Sequence, residues 1–329
     1  MALAALTTYA PVLCYHRIGG PLELGVTRVG RSVFARQMTA LARAGWRTVS
    51  LEGFAARTIG VGAQYAAPLH NPPQEFLLTF DDGYASLADY AYPVLADLGF
   101  TATTFLITDY VGGTNTWDVR YTWNRLQHLS WPAIERWRGR GFEFASHGAT
   151  HRRLTWLDDA TVETELTRSR DMLISRLGAG AGRAIAYPFG AVDDRVLSHA
   201  QRTGYELGFA GVKGSGTALH LSRVPVYFWD RGDVPFGLRS DGIGALGRLA
   251  AHAANRCAVG TSVMQGLGAR APGLGKITPS PEPRAPNPKP LDEKPCRHRN
   301  QLRMPDQRVR EDPAEGSLVG RNLVDRARQ

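Results

Sequence analysis

From residue 11 onward, short apolar runs alternate with stretches in which apolar residues recur every three or four positions. That is the pattern of strands separated by helices. Strands are expected over 11–15 (Pro-Val-Leu-Cys-Tyr), 46–50, 75–80 (Glu-Phe-Leu-Leu-Thr-Phe) and 101–108, the last rich in β-branched residues. Others are expected over 142–145, 184–187, 206–210 and 221–228. Between them the periodicity predicts a helix capped by Ser32 and running to 43, and another over 86–98 that Gly99 stops. Further helices follow Ser130 to 137, run from an Asp158 cap to 177, and occupy 193–202. Seven or eight strands separated mainly by helices predict an α/β fold with a closed or partly closed parallel barrel. In such barrels the catalytic groups collect at the C-terminal ends of the strands.

The pattern stops near residue 255. Residues 260–329 hold ten of the chain's twenty prolines and show no sustained apolar periodicity, so the composition predicts a disordered tail after a folded domain over 10–255. The tail also explains the net charge of +9. It carries 13 Lys/Arg against 8 Asp/Glu, a balance of +5, which leaves 26 against 22, or +4, for residues 1–259. A body at +4 with both signs interspersed is an ordinary solvated surface, and nucleic acid is not the expected partner.

Cys14, Cys257 and Cys296 are odd in number and far apart, which argues against a disulfide framework or a cysteine zinc site. No stretch approaches the roughly 18 consecutive apolar residues of a membrane span. The opening Met-Ala-Leu-Ala-Ala-Leu-Thr-Thr lacks a basic n-region and a long enough apolar core for a signal peptide. The expectation is a soluble, cytoplasmic chain, with export open if the start codon is wrongly assigned.

Three strand ends carry chemistry. Asp81-Asp82-Gly83 follows the 75–80 strand, where adjacent carboxylates point different ways and can take different roles. Taken alone, the same residues also make an ordinary turn and helix cap. His147 and His151 follow the 142–145 strand, and on a helical turn both imidazoles would share one face and reach one ion. Nine histidines in 329 residues give some pair at that spacing by chance with a probability of roughly a quarter, so position has to add what spacing lacks. Ala186-Tyr187-Pro188-Phe189-Gly190 lies at a third strand end. Two His and a carboxylate on one side of an ion leave positions for water and substrate, as a catalytic site requires. His16 ends the first strand and so lies on the same rim, where it is a pocket-lining candidate, although a structural hydrogen bond is the commoner role for such a residue. Trp117, Tyr121 and Trp123 could stack on sugar rings, although aromatics at such places more often pack.

Together these residues resemble the NodB-homology polysaccharide deacetylases of carbohydrate esterase family four. Thr79-Phe80-Asp81-Asp82-Gly83 matches the family's first motif in full, and His147 to His151 approximates the second, with Gly148 where Ser or Thr is usual. Cys14-Tyr15-His16-Arg17-Ile18 and Arg223-Val224-Pro225-Val226 are lesser matches, and the likeness covers about residues 10–240. The resemblance implies a deformed barrel of the NodB type and a metal-dependent hydrolase that removes N-acetyl groups from amino sugars of a polysaccharide or glycoconjugate. It implies Asp81 as general base, Asp82, His147 and His151 as ligands of a divalent ion, commonly zinc, and the Phe189 N–H as an oxyanion donor. Tyr187 and Pro188 of the same motif are expected against the substrate. Two departures stand out: Ala186 occupies the place of an Arg that orients the base, and no Leu-x-x-x-His motif follows the last strand, so the general acid is unassigned, with His220 the nearest candidate. The alternatives are a hydrolase of another small non-peptide amide and an inactive carbohydrate-binding relative.

Deleting residues 260–329 is expected to leave the fold nearly intact, because a segment making few buried contacts can be removed at little cost. A thermal midpoint within about 5 °C of the full chain checks this; a larger fall implies more than roughly 1 kcal/mol of lost packing.

Overall fold

The structure, a computed structural model, describes residues 9–21, 26–59, 74–116 and 125–254. The strands are β1 (Val12–Tyr15), β2 (Arg17–Ile18), β3 (Arg28–Val29), β4 (Arg47–Thr48), β5 (Glu75–Phe80), β6 (Thr103–Leu106), β7 (Glu143–Ser146), β8 (Ala184–Ala186), β9 (Leu207–Phe209) and β10 (Val224–Pro225). The helices are α1 (Arg31–Arg43), α2 (Leu51–Ile59), α3 (Tyr92–Asp97), α4 (Trp131–Arg138), α5 (Asp159–Leu177) and α6 (Asp194–Thr203).

Eight strands form one parallel sheet in the order β10-β1-β5-β6-β7-β8-β9, with β4 pairing the start of β5. β2 and β3 pair separately. Residues 221–226 bring the two ends of the sheet together. Leu221 donates to the Gly208 carbonyl of β9, and Val226 donates to the Cys14 carbonyl of β1, both at 2.8 Å. The result is the deformed NodB-type barrel that the resemblance implies.

Side chains alternate across each strand, so every second residue faces the barrel interior. Val12, Leu77, Phe105, Ala145, Ala184, Ala186, Leu207, Phe209 and Leu221 form one buried apolar cluster, joined by Leu51, Phe54 and Ala55 of α2. The opposite parity, with Leu13, Tyr15, Phe76, Leu78, Phe80 and Phe144, packs outward against Phe34, Met38, Tyr92 and Trp137 of the surrounding helices. On the β8 side, Ile185 and Tyr187 pack against Leu166 of α5 and Val196 of α6.

Several local expectations need correction. Gly30, in extended conformation, precedes α1 as its N-cap, so Ser32 lies inside the first turn and makes no cap bond. The helix expected over 86–98 begins as a π-helical turn, Leu87–Ala91, before α3. Pro93 stands at the start of α3, and its missing N–H removes one donor from the regular ladder. The strand expected over 221–228 shrinks to β10 and a single bridge between Leu221 and Phe209. Pro225 is one of its two residues and cannot donate to a ladder. The helix α2 and a further helix over 242–254 carry no matching expectation. Asp158 does cap α5, accepting from the Thr161 N–H at 2.8 Å. His70, Trp117, Tyr121, Trp123, Cys257, Cys296 and the 260–329 tail lie outside the described residues. No described helix is long and apolar enough to cross a membrane.

Candidate active site

Two residues beyond the apolar inner layer, the inward positions become polar. Val12 is followed by Cys14 and His16, Leu77 by Thr79 and Asp81, Ala145 by His147, and Leu221 by Arg223. Strand parity alone therefore delivers Asp81, His147, Cys14 and Arg223 to one place, and all four are buried.

Asp81 continues the β5 ladder, donating its N–H to the Tyr15 carbonyl at 2.9 Å. The chain then turns sharply: Asp82 and Gly83 both have φ of 68°. At Gly83 a Cβ would lie 2.6 Å from the Leu106 side chain, so this step of the turn has no room for another residue. The Asp82 conformation is held from outside by His128, whose Nδ1–H donates to the Asp82 carbonyl at 2.8 Å while its ring stacks on Tyr84. His128 has no motif around it in the sequence; its role is visible only in the fold.

The His147–His151 segment is not a helical turn. It is an irregular loop with Gly148 at φ 79° and His151 at φ 61°. Glu165, buried on α5, gathers it: one carboxylate oxygen accepts the Ala149 and Thr150 N–H groups at 3.1 and 2.9 Å, and the other accepts the Thr150 hydroxyl at 2.5 Å. Two buried amides that a helix would satisfy internally are thus satisfied by one side chain. His147 donates from Nδ1 to the Ala186 carbonyl at 2.8 Å, which leaves its Nε2 lone pair facing the barrel axis.

The Nε2 atoms of His147 and His151 lie 3.5 and 3.4 Å from Asp82 Oδ1. That oxygen is buried and accepts no hydrogen bond. The three donor atoms lie within 4.8 Å of one another. For metal–ligand bonds of about 2.0–2.1 Å, a tetrahedral centre separates its ligand atoms by about 3.3–3.4 Å, so the set fits a zinc-sized ion. Burial and the neighbouring His147 push the His151 imidazole down to about 3, against the pull of Asp82 and Asp81, which leaves it a neutral ligand. Burial would raise the Asp82 carboxyl, but the His147, His151 and His16 rings around it bring it below the usual carboxylate range.

Asp81 is held differently. Arg223 grips it with two parallel bonds, Nη1 to Oδ1 at 2.7 Å and Nη2 to Oδ2 at 2.8 Å. Burial works to raise the Asp81 carboxyl, and the Arg223 charge, His147 and these hydrogen bonds outweigh it, holding the group well below its ordinary value. The Cys14 thiol also points at Oδ2, 3.4 Å away, and burial raises its own pKa. The Arg expected at position 186 has thus not been lost: its guanidinium comes from residue 223, on the segment that closes the barrel. The signal was the Arg223-Val224-Pro225-Val226 match at the last strand.

The remaining candidates divide. Phe189 has φ of 62°, and its ring meets His151 edge-on with centroids 4.7 Å apart, so its backbone lies beside the triad. Tyr187 is fully buried and donates its hydroxyl to the Leu219 carbonyl at 3.0 Å, and Pro188 is buried too. The Tyr187 side chain therefore has no surface to offer a substrate. Outward parity put it in the α5–α6 layer. His16 is partly exposed, with a nitrogen within 4.8 Å of the Cys14 sulfur and an Asp81 oxygen, and its buried Nδ1 makes no hydrogen bond. His220 lines a groove beside Gly190 rather than joining the triad.

Residues 70–208 match the polysaccharide deacetylase family profile. A polysaccharide deacetylase homologue of Bacillus subtilis, YxkH, is 28% identical over 222 residues, covering 65% of this chain and 71% of that protein. The poly-beta-1,6-N-acetyl-D-glucosamine N-deacetylase of Staphylococcus epidermidis is 27% identical over 148 residues, covering 42% of this chain and 48% of that protein. The chain thus spans about half the length of the staphylococcal enzyme. Among solved structures, IcaB from Ammonifex degensii superposes with a TM-score of 0.55 at 25% identity, over 66% of this chain and 91% of that one. Motifs, barrel and relatives agree in what the chain is similar to: the polysaccharide deacetylases, a family of metal-dependent hydrolases of the N-acetyl amide bond.

Proposed function

We propose that this chain hydrolyses the acetamide of N-acetylated amino sugars in a glycan, with zinc as its ion and with Asp82, His147 and His151 as the ligands. The observation that carries the reading is the division of labour between adjacent carboxylates. Asp81 is turned to Arg223, and Asp82 is turned to two imidazoles. An inactive relative was suggested by Ala186 and by the missing Leu-x-x-x-His motif, and the bond from Arg223 to Asp81 speaks against the first of these grounds.

A divalent ion in the triad supplies Lewis-acid polarisation of the acetamide carbonyl and lowers the pKa of water at the site. Asp81, ionised throughout the working range, accepts the proton of the attacking water at its carboxylate. Arg223 fixes the plane of that carboxylate. The Phe189 N–H donates to the oxyanion as the carbonyl carbon becomes tetrahedral. His16, partly exposed at this rim beside Asp81, delivers a proton to the departing nitrogen. Acetate leaves, and the sugar keeps a free amine. Of the substrate contacts expected from sequence, His16 is retained, and the backbone around Pro188 replaces the Tyr187 side chain.

Chelation should abolish acetate release from N-acetylglucosamine oligosaccharides, and zinc or cobalt should restore it. His147→Ala and His151→Ala should lose most bound metal by elemental analysis, whereas Asp81→Asn should keep the metal and lose turnover. Metal loss in Asp81→Asn with retention in Asp82→Asn would reverse the two roles.

Arg223→Met should retain metal but lower kcat by about 100-fold. With the guanidinium gone, burial meets less opposition at Asp81 and its pKa rises. A base works only when ionised, so the acid limb of kcat/KM should move to higher pH, by about one unit or more. An unmoved limb would mean that Asp81 is not the base.

Glu165→Ala should weaken zinc affinity about 10- to 100-fold, because the loop carrying both histidines loses its anchor. Glu165→Gln keeps one acceptor oxygen and should recover part of that loss. Competition with a chromogenic chelator measures both.

A further inference from the structure

Beside the triad, three loops that follow β7, β8 and β9 enclose a groove of about 490 Å³, lined among others by Arg153, Thr155, Gly190, Lys213, Ser215 and His220. The volume is within the usual range of small-molecule sites, about 300–1,000 Å³. Gly190 directly follows Phe189, and Arg153 lies two residues beyond His151, so chain segments that carry the site also line the groove.

Its charge is one-sided. Lys213 is the single lysine in the first 275 residues of a chain whose other basic side chains there are arginines and histidines. It stands in Gly211-Val-Lys-Gly-Ser-Gly216, exposed, and pairs with no acid among the described residues. The Arg153 guanidinium rests over the ring of Trp156 at 5.1 Å, and its Nε is buried with no hydrogen-bond partner. Arg36, Arg168, Arg183, Arg195 and Arg239 by contrast each pair with an acid. The acids nearest in sequence are committed elsewhere: Asp158 and Asp193 cap α5 and α6, and Asp159 binds Arg195 and lies against His199.

We infer that this groove is a subsite for an anionic substituent, a carboxylate or a phosphodiester, on the glycan next to the sugar whose acetamide is cleaved, with Arg153 and Lys213 as its anion-binding side chains. The inference rests on the deacetylase reading and names the substrate class within it. Arg153 offers a planar fork of donors, and Lys213 a mobile point charge on a glycine-flanked loop, so the pair can follow an anion of either shape. The same field disfavours an ammonium. A glucosamine already freed of its acetyl group is therefore rejected from this position.

The full-length zinc enzyme tests this with three probes: a neutral N-acetylglucosamine tetrasaccharide, a tetrasaccharide alternating N-acetylglucosamine with glucuronate, and a phosphodiester-linked N-acetylhexosamine oligomer. Acetate release gives kcat/KM for each, and calorimetry gives binding to the Asp81→Asn enzyme. At least one anionic probe should exceed the neutral one by about tenfold in both measurements, the two anionic probes separating carboxylate from phosphate, with the advantage shrinking in 0.5 M salt. In Lys213→Gln and Arg153→Gln the anionic-to-neutral ratio should collapse toward one. A ratio near one in the parent enzyme, or one untouched by both substitutions, overturns the subsite. Acetate release from no probe, with anionic binding preference intact and sensitive to Lys213, would instead overturn the deacetylase reading and leave the subsite standing.

Discussion

Inside the mouth of the barrel a guanidinium and a carboxylate, both buried, face each other across two bonds of 2.7 and 2.8 Å. Neither charge is tolerable there alone: removing one partner of such a pair costs about 3–5 kcal/mol, because the other stays buried and uncompensated. Arg223 is therefore required by Asp81 and Asp81 by Arg223, and both must lie at the mouth. Arg223 sits on the 221–226 segment that bonds to β9 on one side and β1 on the other. The ion pair thus ties closure of the barrel to assembly of the candidate site. It also frees Asp82: with Asp81 committed to Arg223, the next carboxylate is the one whose inner oxygen lacks a hydrogen bond and faces the two imidazoles.

The alternation of strand side chains explains how so many functional groups arrive without dedicated machinery. On β1 and β5 the inward residues are apolar at the start and polar toward the C-terminal end. The series Val12, Cys14, His16 and the series Leu77, Thr79, Asp81 each pass from core to site in three steps. A one-residue slip in either register would turn Asp81 outward into the helix layer and bring Phe80 inward. The outward neighbours of these residues on β1 and β5 are large apolar side chains, Tyr15 and Phe80, seated against α1 and α3. This places a steep penalty on such slips, since each would expose the barrel's hydrophobic seat and bury its charges.

All eight strands of the sheet were legible from their short apolar runs, because a parallel strand buried on both faces needs no fine pattern to be seen. The shorter elements were not. The β2–β3 pair is two residues long on each side, and α2 offers only nine residues. At the site, Asp81, Asp82, His147 and His151 were legible because they follow strands directly. Arg223, Glu165 and His128 were not assigned roles, since each acts across the fold: 142 residues separate Arg223 from Asp81, and 46 separate His128 from Asp82. Sequence spacing cannot report such pairings. Tyr187 was misplaced for the opposite reason, since its motif was clear while its parity, one residue off the inward series Ala184 and Ala186, was not applied.

Strain marks the same centre independently. Among the described residues, three that are not glycine have positive φ: Asp82, His151 and Phe189. Such conformations cost of order 1–3 kcal/mol each and persist only where surrounding bonds over-determine them. Here each has its fastening. His128 holds the Asp82 carbonyl, Glu165 holds the two amides before His151, and the Gly190 N–H donates to the Tyr187 carbonyl at 2.8 Å around Phe189. The two relaxed alternatives, a regular turn after β5 and a helical turn after β7, would point Asp82 and His151 away from each other. Backbone strain is therefore what converts two ordinary strand ends into donors 3.4 Å apart, and the polar side chains that hold it in place belong to the site as much as the ligands do.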